Sequence, residues 1–280
     1  MAYERTGCGP AVLILHGFSA DRRMWRDLVP AWRAHATLVL VDLPSHGASA
    51  LARADADPVD DLLEMLGDER LERVAIVGHS AGAALAVDFA ARVPARTSAL
   101  VLLSPSLNGF SSRRPLDLSA VAARARAGDP AGAAEAWLAT PIMRTALTGD
   151  RAAWFRTLVR DNTRVWQLQA PRAPPPRPPV HERLAALRLP LFIGEGMLDR
   201  SGTRDVANAI LQAQPTATHQ RFAHAGHWFP VERPDVVRAR VLTFLLHAWC
   251  RDVVLPRRAP CQPEPSTDDS GRLADVLHAH

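Results

Sequence analysis

The chain has 280 residues, 48% hydrophobic and 22% charged, which is enough apolar material for a large packed core and far from the polar bias of disordered chains. Its formal charge is +4, and all 33 basic residues are arginine, scattered among acidic neighbours such as Asp21, Asp27, Glu69 and Glu72. That scatter argues against a nucleic-acid partner, whose binding needs cations gathered on one face. No window approaches the roughly 20 apolar residues of a membrane span, and the first residues lack a charged stretch followed by a long apolar run. The expectation is a cytoplasmic protein with no membrane partner. The 3 cysteines, Cys8, Cys250 and Cys261, are odd in number and lack metal-ligand spacing, so they read as incidental.

From Ala11 the text alternates strand and helix, the pattern of a mostly parallel sheet covered on both faces. AVLILHG reads as a buried strand, followed by one helix over DRRMWRDLVPAW with Met24, Trp25, Leu28, Val29 and Trp32 at helical spacing behind a capping Asp21. TLVLVDL is the next strand, and DPVDDLLEML opens a helix with Asp57 as N-cap and Pro58 in its first turn. RVAIVG is a third strand, SAGAALAVDFAARV a helix of small residues, and ALVLLSP a fourth strand. The rhythm then breaks. Residues 107–185 read as a mainly helical insertion: SAVAARARA, then a helix opened by Asp129-Pro130, then RAAWFRTLVRDN capped by Asp150. APRAPPPRPP reads as a stiff polyproline-type connector back to the core. LPLFIGEG (strand), TRDVANAILQAQ (helix) and ATHQRFAHAGH (strand and loop) follow. A closing helix places Val236, Val237, Val241, Phe244, Leu245 and Trp249 on one side. Residues 1–106 and 186–250 thus make one core, and 251–280 a poorly ordered tail.

Gly78-His79-Ser80-Ala81-Gly82 stands directly between a strand and a helix. A G-x-S-x-G pentapeptide there forces a sharp turn that lifts the serine hydroxyl over the sheet edge beside a helix N-terminus. A serine needs a base to take its proton and a carboxylate to hold that base in the right tautomer. Asp199, in the loop after LPLFIGEG, and His227, in the loop after the last strand, stand at carboxyl ends of strands in the order Ser, acid, His. These ends converge on one crevice in an open α/β sheet. Glu195 and Asp205 compete for the acid's place and His224 for the base's. The plain alternatives are a tight turn at Ser80, a helix cap at Asp199 and a turn residue packed on Trp228 at His227. A tetrahedral intermediate needs N–H donors, and the amides of Phe18 and Ala81 are placed to supply them. A zinc site built on His224 and His227 lacks further ligands, so no metal is expected.

HGF after the first long strand, DLPSHGAS after the next, GHSAG at the turn, GMLD after the insertion and GHWFPVERPDVV near the end stand in an order that resembles the α/β-hydrolase superfamily. The similarity runs from Gly9 to Trp249 and is greatest to small capped esterases, enol-lactonases and carbon-carbon bond hydrolases. It implies an α/β-hydrolase fold with a helical cap over the pocket, no cofactor, and a small-molecule substrate. His16, Gly17, His79 and Trp228 near the elbow are expected to line that pocket. Trp137, Met143, Trp154 and Trp166 are expected to reach it from the cap, although aromatics at helical spacing also serve as a cap's own core. Ser45 departs from the family's usual glycine in its D-x-x-G-H-G loop, and the usual N-terminal hairpin is nearly absent. The expected activity is hydrolysis of an ester, lactone or related carbonyl bond of a largely apolar substrate. Carbon-carbon bond hydrolysis and a non-catalytic ligand sensor remain open alternatives, and the sequence assigns no oligomeric state.

Overall fold

A computed structural model describes residues 1–53, 56–112, 114–167 and 178–251; the proline-rich connector, apart from Pro178 and Pro179, and the tail after Arg251 lie outside the described residues. The strands are β1 (Tyr3–Gly7), β2 (Ala11–Leu15), β3 (Thr37–Val41), β4 (Val74–His79), β5 (Thr97–Leu103), β6 (Leu191–Gly196) and β7 (Thr218–Phe222). They form one seven-stranded sheet in the order β1-β3-β2-β4-β5-β6-β7. Only β1 runs antiparallel, pairing Tyr3 with Val41 through Gly7 with Thr37. Sequence reading gave β1 no place, because its residues are mostly exposed and carry no apolar run.

The central strands are buried on both faces, which explains their unbroken Val, Ile and Leu. Helices α1 (Val29–Trp32) and α10 (Pro234–Arg251) cover one face; α2 (Pro58–Asp68), α3 (Ala81–Arg92) and α8 (Ser201–Ala213) cover the other. Strand alternation sends Val12 and Ile14 into the first layer and Leu13 and Leu15 into the second. Between β5 and β6 the chain builds α4 (Ser119–Arg126), α5 (Pro130–Leu138), α6 (Ala152–Asp161) and α7 (Val180–Ala186), and α9 (Phe229–Glu232) precedes α10. The apolar side of that insertion, with Trp137, Met143, Phe155 and Trp166, is continuous with the first layer.

Several local expectations give way. The single helix after β2 is split into a 3-10 turn, Arg22–Trp25, and the short α1. Pro30 lacks the N–H a continuous helix requires, yet Met24, Trp25, Leu28 and Trp32 are still buried. Asp57 and Asp129 cap as expected, accepting from Val59 and Gly132. Asp150 does not: Arg151 is the N-cap of α6, with no side-chain cap bond. On α10 Val236 faces solvent, since the buried row runs Val237, Val241, Leu245 at four-residue steps. Cys250 is free and exposed, and Cys261 lies outside the described residues. Among the described residues no helix is long and apolar enough to cross a membrane.

Candidate active site

Ser80 sits between the end of β4 and the first residue of α3 with φ 51° and ψ −111°, a conformation that costs a non-glycine residue free energy and must be imposed by its surroundings. Here its N–H donates to Leu103 at 3.0 Å, and its carbonyl accepts from Ala83, Ala84 and Ser106. The flanking glycines let the turn close. A Cβ on Gly78 would lie 2.6 Å from the Gly82 carbonyl oxygen, and one on Gly82 would lie 2.5 Å from the carbonyl oxygens of Leu15 and His16.

His227 and Asp199 meet this turn from two other loops. The Ser80 hydroxyl lies 2.9 Å from His227 Nε2, and His227 Nδ1 lies 2.9 Å from Asp199 Oδ2. A carboxylate only accepts, so Nδ1 carries the proton and Nε2 is free to accept from the serine. The second oxygen of Asp199 accepts from the Arg200 N–H at 2.6 Å and the Thr203 hydroxyl at 3.3 Å. Asp199 is not the cap of the following helix: Arg200 is the N-cap of α8, with no side-chain cap bond. Burial works to raise the Asp199 pKa, but the adjoining His227 and the Arg200 N–H hold it below the usual carboxylate value. Of the rival residues, Glu195 pairs with His219 at 2.5 Å, Asp205 accepts from Ser112, and His224 is exposed.

Among the described residues the amide N–H groups of Phe18 and Ala81 make no hydrogen bond. The Phe18 ring packs edge-on against Trp137 at 5.2 Å and Trp166 at 5.3 Å, which joins this loop to the insertion. Met143 is buried beside them in the same apolar cluster. Trp154 is partly buried against the same cluster, with the Arg26 guanidinium 4.6 Å over its ring. Trp228 lies against His79 and Phe155, beside His227.

His16 and His79 act as struts. His16 donates from Nδ1 to the Gly17 carbonyl and accepts the Leu43 N–H at Nε2, leaving no nitrogen for a ligand. His79 donates from Nε2 to the His227 carbonyl at 2.9 Å, and Gly17 passes so close that a Cβ there would lie 2.5 Å from His79 Nδ1. Desolvation pushes both imidazoles from 6.5 down to about 3, so both are neutral. Ser45 takes the left-handed conformation, φ 68°, that favours the glycine expected there. Its hydroxyl accepts the Ala52 N–H at 2.9 Å.

Asn162 and Glu232 escaped the sequence reading. Asn162, at the end of α6, donates to Asp21 at 2.8 Å and accepts the Gly47 N–H at 2.7 Å, binding the insertion to two core loops. Glu232 accepts the N–H of Gly226 at 2.7 Å, next to His227. The one available signal was the position of Glu232 five residues after His227, just ahead of Pro234. Among the described residues no group of three or more His, Cys, Asp or Glu side chains could hold a metal.

A mostly parallel sheet, a serine on a strand-to-helix turn and an acid and histidine from later loops make this an α/β-hydrolase fold, and comparison with known proteins places it further. The chain belongs to the Alpha/beta hydrolase family, whose sequence model matches residues 12–240. It is similar to the pimeloyl-[acyl-carrier protein] methyl ester esterase of Nitrosomonas europaea, 34% identical over 36% of this chain and 39% of that protein. It is also similar to the 2-hydroxy-6-oxononadienedioate/2-hydroxy-6-oxononatrienedioate hydrolase 2 of Pseudomonas putida, 28% identical over 84% of this chain and 87% of that protein. Its match to mycobacterial relatives is short: the chain spans 31% of their length. The structure of MenH from S. aureus superposes with a TM-score of 0.73 over 88% of this chain and 98% of that one at 19% identity, a likeness of fold.

Proposed function

We propose that the protein is a serine hydrolase that cleaves an ester, lactone or similar carbonyl bond of a small, largely apolar substrate through an acyl-enzyme. The observation that carries this reading is the unbroken line from Ser80 Oγ to His227 Nε2 and from Nδ1 to Asp199, 2.9 Å at each step. Ser80 attacks the carbonyl carbon while His227 takes the hydroxyl proton, and Asp199 holds the imidazole and stabilises the imidazolium. The oxyanion accepts from the amides of Ala81 and Phe18. His227 then returns its proton to the leaving oxygen, and water, activated by the same base, releases the acid and restores Ser80. The insertion acts as a cap, with Phe18, Trp137 and Trp166 giving an apolar wall beside the oxyanion donors.

The test is a fluorophosphonate probe followed by peptide mapping, with p-nitrophenyl acetate and butyrate as substrates. Labelling confined to Ser80, and loss of both labelling and turnover in Ser80→Ala, are the expected results. A folded protein that takes no label and turns over no ester would favour a ligand sensor. Carbon-carbon bond hydrolysis is the second reading, motivated by the similarity to the Pseudomonas putida hydrolase along most of both chains. It uses the same three side chains, and a vinylogous 1,5-diketone preferred over every aryl ester would select it.

A further inference from the structure

A general base works only if its ring is held in register with both nucleophile and acid, and that requires a fixed backbone as well as fixed ring contacts. On the carboxyl side of His227 the restraint is His79, which donates to its carbonyl. On the amino side it is Glu232. One carboxylate oxygen of Glu232 accepts the Gly226 N–H at 2.7 Å; the other accepts the hydroxyl of Thr145 at 2.9 Å. Thr145 belongs to the insertion, just past the 3-10 turn Pro141–Met143. Its hydroxyl lies so close over Gly226 that a Cβ at that position would collide with it, so the residue before the base must be glycine. The carboxylate itself is presented by the short turn of α9, closed by the Glu232 N–H on the Trp228 carbonyl at 3.0 Å.

A half-buried carboxylate is an expensive way to fill space. Burial pushes the Glu232 pKa up, against the lowering effects of the Gly226 N–H, the Thr145 hydroxyl and the nearby His227. An apolar residue of similar volume would fill the space without that penalty. What it could not do is grip the peptide before the base and a hydroxyl of the insertion together.

We propose that Glu232 is a positioning residue for the base: it fixes the Gly226–His227 peptide so that the imidazole spans Ser80 and Asp199, and it makes that register depend on the Thr145 turn being seated. The base is thus fully assembled only when the insertion is docked on the core. This inference rests on the serine-hydrolase reading for its kinetic consequence, but not for its geometric one.

The test uses the full chain with Glu232→Ala, Glu232→Gln and Thr145→Val. Glutamine keeps both contacts, its oxygen accepting from Gly226 and its amide donating to Thr145, so it serves as the rescue variant. One readout is the split between kcat and KM on p-nitrophenyl butyrate. The other is the deshielded proton NMR resonance of the His227 Nδ1–H donating to Asp199, assigned by its loss in His227→Gln. Glu232→Ala is expected to lower kcat at least tenfold with KM within twofold, and to shift or broaden that resonance. Thr145→Val should do the same in smaller measure, and Glu232→Gln should recover most of both. An unmoved resonance in Glu232→Ala and Thr145→Val overturns the proposal, as does a glutamine variant as damaged as the alanine one. If Glu232→Ala does not fold, the resonance in Thr145→Val decides alone. A wild type that hydrolyses no ester and takes no fluorophosphonate sinks the hydrolase reading, while the resonance still decides the role of Glu232.

Discussion

His79 and His227, 148 positions apart, are joined by one buried hydrogen bond, the Nε2–H of the first on the carbonyl of the second at 2.9 Å. The residue before Ser80 thereby holds the loop that carries His227, and it does so as a neutral imidazole.

A pH dependence of stability follows. Burial keeps His79 and His16 neutral in the fold down to about pH 3, whereas in the unfolded chain each takes up its proton near 6.5. Below 6.5 the unfolded state therefore binds more protons, so the stabilising effect is complete above that pH and is lost progressively as pH falls toward 3. Two such groups give a slope of about 2.7 kcal/mol per pH unit. Urea unfolding at pH 7.5 and 5.5 should show a midpoint well lower at 5.5, and His79→Gln should remove about half of that difference. Equal midpoints at the two pH values would count against neutral buried imidazoles.

The elbow glycines and a helix glycine should respond in opposite ways to a methyl group. Gly82→Ala drives a Cβ into the Leu15 and His16 carbonyls, and α3 must move away from β2. The expected loss is about 2–3 kcal/mol of stability, with slower labelling of Ser80. At Gly67 in α2 an added Cβ would meet nothing within 4 Å, so Gly67→Ala should stabilise by about 0.5–1 kcal/mol through helix propensity. Thermal melts of the two variants side by side make the comparison.

Asp199 and Asp205 are six residues apart and chemically alike, yet only Asp199 touches the imidazole. Asp199→Asn should lower kcat by about 10³–10⁴-fold, because an amide at that position disturbs the tautomer the base requires. Asp205→Asn, which exchanges one acceptor for another beside Ser112, should keep kcat within about twofold. Steady-state kinetics of the pair discriminate, and equal losses would point to another acid.

Asn162 holds the insertion to the loops of Asp21 and Gly47. Asn162→Ala leaves the half-buried Gly47 N–H without its acceptor, at about 1 kcal/mol. Asn162→Asp keeps that acceptor but faces a second carboxylate toward Asp21, and should be the worse of the two at pH 7. Hydrogen exchange at Gly47, faster in both variants, is the readout.

Much of this was legible along the chain. Continuous apolar runs marked β2 to β6, because strands buried on both faces have no polar side to show. The Ser80 turn could be read because its geometry demands small neighbours at fixed offsets. Other features were not legible. β1 is held by backbone pairing with β3 rather than by an apolar pattern of its own. The split before α1 turned on Pro30, and the loss of Asp150 as a cap on how the turn before α6 packs.

Sequence alone determined the order of strands and helices, the tight turn at Ser80, and the candidates for acid and base, since each is written in local spacing and residue size. Only the tertiary structure decided that Asp199 rather than Asp205 meets His227, that His16 and His79 are struts, and that Glu232 and Asn162 bind the insertion to the core. These are contacts between residues brought together by the crossing of the sheet, and a hydrogen bond across such a distance leaves no periodic trace in the chain.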